Sequence, residues 1–478
     1  VIYAGTDDGN LQVTRDGGAT WTNVADRIRG LPERTYATGV FASAHVEGRV
    51  YASFDGHRND DYVAYVYVSE DYGQSWRQIT EGLPVTSVNR VIEHPRTADL
   101  LFVANEVGVF FSLDRGQSWS QLKNNLPTVP VDVLLIHPRE NDLVVGTHGR
   151  SIWILDDITP LEELSQAMQA DRVHLFPVKT ARMLILTSPE SFNAGYFSAP
   201  NPTRGARIRY LLAYNGQPDH IFGEMHPPGE DAHTPDPDHF TVRITILDGD
   251  GNVVRTVSEP GSGTKGLHEW AWDLRMELPF EIEVPEGAGF RGGPRGPLVM
   301  PGDYTVQIEA GGDTATTTVT VEPDPRISVP MADLRVRRDA LMSLFPLLEP
   351  AYNASQTMRE IQEEVERIES LLDAREGVTD EDREHLSGLQ QVIDRAAREA
   401  NQAFSQVASI MSGIEGCFCR PTEDELYRAE RAWPDVRDAV EAVNQVVREV
   451  MPGLYREMGE RGHWSTEFDA VVMPRRGG

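Results

Sequence analysis

One eight-residue pattern constrains this chain more than anything else in it. "TRDGGATW" (14–21), "SEDYGQSW" (69–76) and "SLDRGQSW" (112–119) each set a hydroxyl residue, Asp two positions on, Gly two further, and Trp three after that. Asp71 and Asp114 lie 43 residues apart, and His94 in "EHPR" and His137 in "IHPR" repeat the same 43-residue step. Two independent markers with one period define a structural repeat. A period of about 40–45 residues is that of a four-stranded propeller blade, which buries its faces only by stacking on neighbours. Asp16 to Asp71 is 55 residues, so that unit carries 12 more; the polar run "FDGHRNDDY" (54–62) is where they are expected. Gly-Leu-Pro at 30 and 82 and Asn-Leu-Pro at 125 are turn signals closing each unit. The run "NDLVVGTHGRSIWILDD" (141–157) keeps a strand pair and loses the pattern, as a terminal repeat does.

Every member of the pattern has work in a hairpin. Asp16, Asp71 and Asp114 are placed to accept amide hydrogens of their own turn. Gly18, Gly73 and Gly116 supply a positive φ. Trp21, Trp76 and Trp119 then enter the next strand as wedges between blades. A catalytic carboxylate is needed once, whereas this one stands at three equivalent places, so the pattern reads as architecture. Residues 1–160 are expected to be blades, and the strand-like start "VIYAGT" implies further blades upstream.

Beyond the repeats the periodicity changes twice. From 172 to 325, period-two runs at 206–214, 240–248, 251–257, 267–275, 302–310 and 314–322 predict an antiparallel β-sandwich with a hairpin turn at 248–251. The Gly- and Pro-rich run 285–302 predicts an irregular loop. From 331 to 460 helical stripes take over: Ile361, Val365, Ile368 and Leu372, then Val436, Val440, Val443, Val447 and Val450. Thr379 with Asp382, and the run 421–425, read as helix starts; Pro452 reads as a kink or an end. An α-helical bundle is expected there, able to self-associate if its stripe is bare, with 461–478 as an extended tail. The fold class is therefore mainly β and multidomain.

Composition sets limits on partners. A net charge of −30 with a pI near 4.8 argues against nucleic acid and anionic membranes. No apolar run is long enough to span a bilayer. Cys417 and Cys419 fall short of the four ligands of a structural zinc site, and read as two reduced thiols or as one partner of a distant or absent cysteine. No metal and no cofactor is expected.

The S/T-x-D-x-G-x-x-W pattern resembles the Asp-box, or bacterial neuraminidase repeat, of sialidases, xyloglucanase-type glycoside hydrolases, photosystem assembly factors and sortilin-type receptors. That resemblance implies a box at a blade-edge turn away from the ligand face. "VYVSEDYGQSW", "GTHGRSIWILDD", "NPTRGARIRYLL", "WAWDLR" and "MPGDYTVQIEAGG", in this order, are similar to large secreted bacterial proteins. Those combine a sortilin-like propeller, an immunoglobulin-like domain like that of flagellar hook-capping proteins, and a helical tail, and they are often labelled glycosyl hydrolases. The resemblance implies export and no established reaction.

Two stretches fall outside the repeat logic and supply candidate ligand-binding residues. "FDGHRNDDY" groups Asp55, His57, Arg58, Asp60 and Asp61; "THGRS" (147–151) offers His148 and Arg150, and an arginine reads carboxylates bidentately. The expected function is an extracytoplasmic, non-catalytic binding or assembly module holding a protein, peptide or glycan. A secreted glycoside hydrolase, with its carboxylate pair partly upstream, and a structural component of a surface assembly are the alternatives.

Overall fold

The computed structural model describes residues 1–473 except 124, 171, 185–202, 213–240, 259–262, 281–294, 374–379, 461–470 and 472. Four small sheets follow one another at the start of the chain. The first holds β1 (Ile2–Gly5), β2 (Leu11–Thr14) and β3 (Thr22–Asn23); the second β4 (Tyr36–Ala42), β5 (Val50–Asp55), β6 (Tyr65–Ser69) and β7 (Arg77–Gln78). The third has β8 (Val88–Glu93), β9 (Leu101–Asn105), β10 (Gly108–Ser112) and β11 (Ser120–Leu122); the fourth β12 (Val131–Ile136), β13 (Leu143–Thr147) and β14 (Ile152–Leu155), followed by helix α1 (Thr159–Ala167). Each is an antiparallel meander in chain order, and consecutive sheets share apolar cores. These are propeller blades. The Asp–Gly–Trp turn joins the third and fourth strands of a blade, so β1 is a second strand, and in chain order β14 is followed by α1 instead of a fourth strand.

The extra residues of the second blade are split between two places. Residues 56–64 link β5 to β6 where 106–107 suffice in the next blade, and the segment between β3 and β4 is longer than that between β7 and β8 and includes a 3-10 turn, Ala25–Arg27.

The turn itself is a closed set of bonds. Ser69 Oγ accepts the Gly73 amide (2.8 Å) and donates to Asp71 (2.8 Å), while Asp71 accepts the amide and hydroxyl of Ser75 at 2.8 and 2.7 Å. Asp114 and Asp16 repeat the arrangement. Gly73 and Gly116 have φ of 82° and 80°, and a Cβ on either would stand 2.9 Å from Val24 or Ile79 of the preceding blade. Trp119 is buried and donates to the Ile79 carbonyl (2.9 Å); Trp76 packs on the first blade's core. Trp21 does not form the expected wedge. It is 45% exposed, because no preceding blade stands against it among the described residues.

Polar latches tie neighbouring blades at both ends. Thr38 and Asn89, each at a bulge in the first strand of its blade, donate to the carbonyls of Val88 and Val131 in the next. At the opposite end buried Glu93 accepts from Ser43, Arg49 and Tyr51, and buried His94 meets Asn141 at 3.0 Å.

Two further sheets enclose one core built around Trp272, Ile208, Ile244 and Val306. Their strands are β15 (Val173–Leu175), β16 (Ala181–Met183), β17 (Ala206–Leu212), β18 (Val242–Leu247), β19 (Val253–Ser258), β20 (Gly266–Trp272), β21 (Gly302–Ala310) and β22 (Asp313–Pro323). The orders are β15-β17-β20 and β16-β22-β21-β18-β19, with β16 parallel to β22. Most of the loop predicted at 285–302 lies outside the described residues.

The helices are α2 (Met331–Asp373), α3 (Asp380–Glu415), α4 (Glu423–Gln445) and, after a π-turn at Val446–Val450, α5 (Met451–Glu460). Thr422 and Glu425 form a reciprocal capping box on α4, whereas Thr379 lies outside the described residues. The chain stays helical through Pro452: the wider π-turn just before it relieves the clash of the ring with the preceding turn. Val436, Val440, Val443 and Val447 are buried in one core with Ile361, Val365 and Ile368, so this stripe is covered within the bundle and is not the bare face on which self-association was expected. Cys417 and Cys419 are joined to each other in a disulfide, in place of the reduced or distant pairing expected. Glu415 fastens the bundle to the sandwich by accepting from Arg275 (2.6 Å) and the Leu298 amide (2.9 Å).

Gly116→Ala combines a strained φ with overlap on Ile79 and is expected to lower unfolding free energy by about 1–3 kcal/mol in urea titrations. Burial holds the His94 pKa below its ordinary 6.5. The unfolded chain then binds more protons below that value, so the melting temperature should fall as pH drops from about 7 to about 5, with a weaker slope in His94→Gln.

Candidate ligand-binding face of the propeller

Antiparallel meanders sort the loops by end. The connections between second and third strands (6–10, 56–64, 106–107 and 148–151) and those between blades emerge at one end, and the Asp–Gly–Trp turns at the other. Both candidate stretches therefore share the end away from the boxes.

In the second blade Asp55 closes β5 and is nearly buried. It accepts the His57 amide (2.8 Å) and pairs with the His57 Nδ1, leaving the imidazole half-exposed. Burial alone would raise the Asp55 pKa, but hydrogen bonds, those of His57 among them, hold it below the ordinary value. Arg58 lies over the Tyr36 ring, 5.0 Å from its centroid. Asp60 adopts a left-handed conformation that turns the chain back. Asp61 accepts from Tyr65 Oη (2.7 Å) and the Val63 amide (3.1 Å), and burial together with this bond pushes the Tyr65 pKa up to about 12. Gly56 allows the loop to fold on itself, since a Cβ there would stand 2.9 Å from the Asp61 carbonyl. The loop exposes Tyr62 and Val63, and Val85 is exposed in the connection to the third blade.

In the fourth blade His148 Nδ1 meets Asp132 at 3.2 Å, both well exposed. Arg150 is exposed; its amide donates to Thr147 and its carbonyl accepts from Trp153 Nε1, and its guanidinium has no ion-pair partner among the described residues. Asp132 occupies the bulge position held by Thr38 and Asn89 in earlier blades. The second- and fourth-blade groups share an end of the propeller but do not form one cluster.

Carboxylates on this end are committed where partners are described: Asp55 to His57, Asp61 to Tyr65, Asp132 to His148, Glu106 to Asn89. Two cavities, of about 510 and 750 Å³, lie in the sandwich near Arg275 and on the bundle near Asn444, away from this end.

Sequence reasoning passed over one polar junction. Arg209 on β17, nearly buried, donates to the Asp157 carboxylate (2.7 Å) and carbonyl (2.8 Å) and to Glu269 (2.7 Å), fastening sandwich to propeller. A signal was present: with Trp153 aligned on Phe110, Asp157 falls where Asp114 stands, the box aspartate of a blade that lost its box.

Residues 64–159 match the family model described as sortilin, neurotensin receptor 3. No curated protein matches the chain in sequence. Among solved structures it is similar to a GH74 enzyme of Niastella koreensis, at 12% identity over 44% of this chain and 33% of that one with a TM-score of 0.27. A GH74 xyloglucanase from Xanthomonas campestris follows at 14%, 66%, 52% and 0.26, and the Dos1 propeller at 10%, 32%, 54% and 0.20. The chain spans less than two thirds of each of these structures. The sortilin-type match therefore begins just before the third strand of the second blade, β6, and runs through the third and fourth blades.

Proposed function

We propose that this chain is an extracytoplasmic, non-catalytic binding module whose propeller end opposite the boxes holds a protein, peptide or glycan. The observation that carries this reading is the 56–64 loop: it departs from the repeat, exposes Tyr62 and Val63, and sets them beside Arg58, Asp60 and His57. Exposed aromatic and arginine side chains on a braced loop are what recognition surfaces use. Arg150, free of ion pairing among the described residues, adds a cationic donor for an acidic group of the ligand. The match to the sortilin model over 64–159 favours binding.

In this reading the chain divides into blades (1–160), an immunoglobulin-like sandwich acting as spacer (172–325), a helical bundle (331–460) and a tail (461–478). Export agrees with the Cys417–Cys419 disulfide, a bond that persists in oxidising compartments. No helix among the described residues is long and apolar enough to cross a membrane. The glycoside hydrolase alternative gains nothing from the committed carboxylates.

The test is a glycan and peptide array probed with the whole chain, followed by titration of the best ligand. Tyr62→Ala with Arg58→Ala should weaken binding roughly tenfold or more, since contacts at such anchors exceed about 1 kcal/mol each. Gln117→Ala, at the box end, should leave it unchanged. Equal loss from Gln117→Ala, or none from the loop pair, would discard the assignment.

A further inference from the structure

Cys417 and Cys419 are the two cysteines of the chain, and their bond joins positions two apart in the turn between α3 and α4. A disulfide stabilises mainly by restricting the unfolded chain, and the effect shrinks with the loop it closes. With a single residue inside the loop, this bond restrains little.

The turn is also held without it. Phe418, between the two cysteines, packs on the sandwich core, and its ring centroid lies 5.3 Å from the Arg337 guanidinium carbon. Buried Arg337 donates to the carbonyls of Ile414 (3.2 Å) and Glu415 (3.4 Å) at the end of α3, and Glu415 is itself fastened to Arg275 and the Leu298 amide. Arg420 reaches Asp333 on α2 (3.4 Å), and Thr422 caps α4. These contacts bracket the cysteines on both sides and hold their Cα atoms 5.3 Å apart, inside the range a disulfide spans. The bond can therefore open and close while the elements beside it stay in place. Both cysteines are exposed, and an exposed disulfide with so small a structural share is the kind that an incoming thiolate attacks.

We propose that Cys417–Cys419 is a thiol–disulfide exchange site whose substrate is a dithiol on another protein. This activity is separate from ligand binding at the propeller. A substrate thiolate attacks Cys417 Sγ, forming a mixed disulfide and expelling the Cys419 thiolate, which takes up a proton. The second substrate thiolate then attacks the substrate sulfur of that mixed disulfide and expels the Cys417 thiolate, which is protonated in turn. The substrate loses two electrons and two protons and the cysteine pair gains them. A small disulfide such as oxidised glutathione, itself reduced to two thiols, returns the pair to its closed form. Cys419 is the leaving sulfur because Arg420 follows it and α4 begins just beyond, whereas Cys417 follows the C-terminus of α3. Cations and helix N-termini stabilise a thiolate, and a helix C-terminus opposes it.

The test mixes the whole oxidised chain with a reduced, unstructured peptide carrying two cysteines, followed by alkylation and mass spectrometry. The peptide should become oxidised as two alkylatable thiols appear at Cys417 and Cys419, about tenfold or more faster than with oxidised glutathione at the same concentration. Cys417→Ser combined with Cys419→Ser should abolish the transfer while circular dichroism and melting stay at wild-type values. Cys419→Ser, incubated with the oxidised peptide, should hold it as a mixed disulfide at Cys417, since the resolving thiol is gone. A wild-type bond that stays closed against the peptide, or transfer no faster than from oxidised glutathione, would overturn the proposal. So would the failure of Cys419→Ser to trap the peptide, or a double serine variant that melts well below wild type, which would make the bond a structural clasp.

Discussion

The propeller rests on the absence of a side chain at two turns. Gly73 and Gly116 lie against Val24 and Ile79 so closely that a Cβ would overlap, and both hold a φ that glycine alone adopts freely. That contact sets the spacing of consecutive blades. The box aspartate, with its ring of hydroxyl and amide donors, keeps the turn in shape, and Trp119 closes the gap from the following strand. At these two turns both the acid and the indole are held by hydrogen bonds, and the meander sets the boxes at the end opposite the candidate site.

A second set of contacts fixes the three parts to one another. Arg209 is shared by Asp157 of the last blade and Glu269 of the sandwich, and Glu415 of the bundle takes Arg275 and the Leu298 amide. The pair between propeller and sandwich is largely removed from water. Such pairs define orientation more than they add stability, because desolvation offsets much of the attraction. The sandwich is thereby braced between the box end of the last blade and a helical bundle whose own Val436–Val447 stripe is covered.

Much of this was legible in the residues. The 43-residue step and the alternating runs at 206–214, 302–310 and 314–322 fall on observed strands, since both faces of each strand are fixed by local patterning. The helix start within 421–425 was visible for the same local reason, and the structure adds that Thr422 and Glu425 cap it reciprocally. Less legible were the fates of equivalent residues. Trp21, Trp76 and Trp119 are the same in sequence and differ in burial, because burial depends on whether another blade stands behind them. The Val436 stripe reads the same whether it faces its own bundle or a partner. Within the candidate site, the loop was marked by its departure from the repeat, but the commitment of Asp55 to His57 and of Asp61 to Tyr65 depends on how the loop folds back over Gly56.

By itself the sequence determined blade identity, strand period, helix stripes and turn chemistry, all set by residues within a few positions of one another. The tertiary structure alone decided which carboxylates are spent on neighbours, which apolar faces are covered, that Asp157 reaches Arg209 in another sheet, and that Cys417 pairs with Cys419. Those outcomes turn on contacts between surfaces distant in the chain, or on chain geometry that a spacing does not specify. A periodic pattern shows that a face is apolar, and only the packed molecule shows what lies against it.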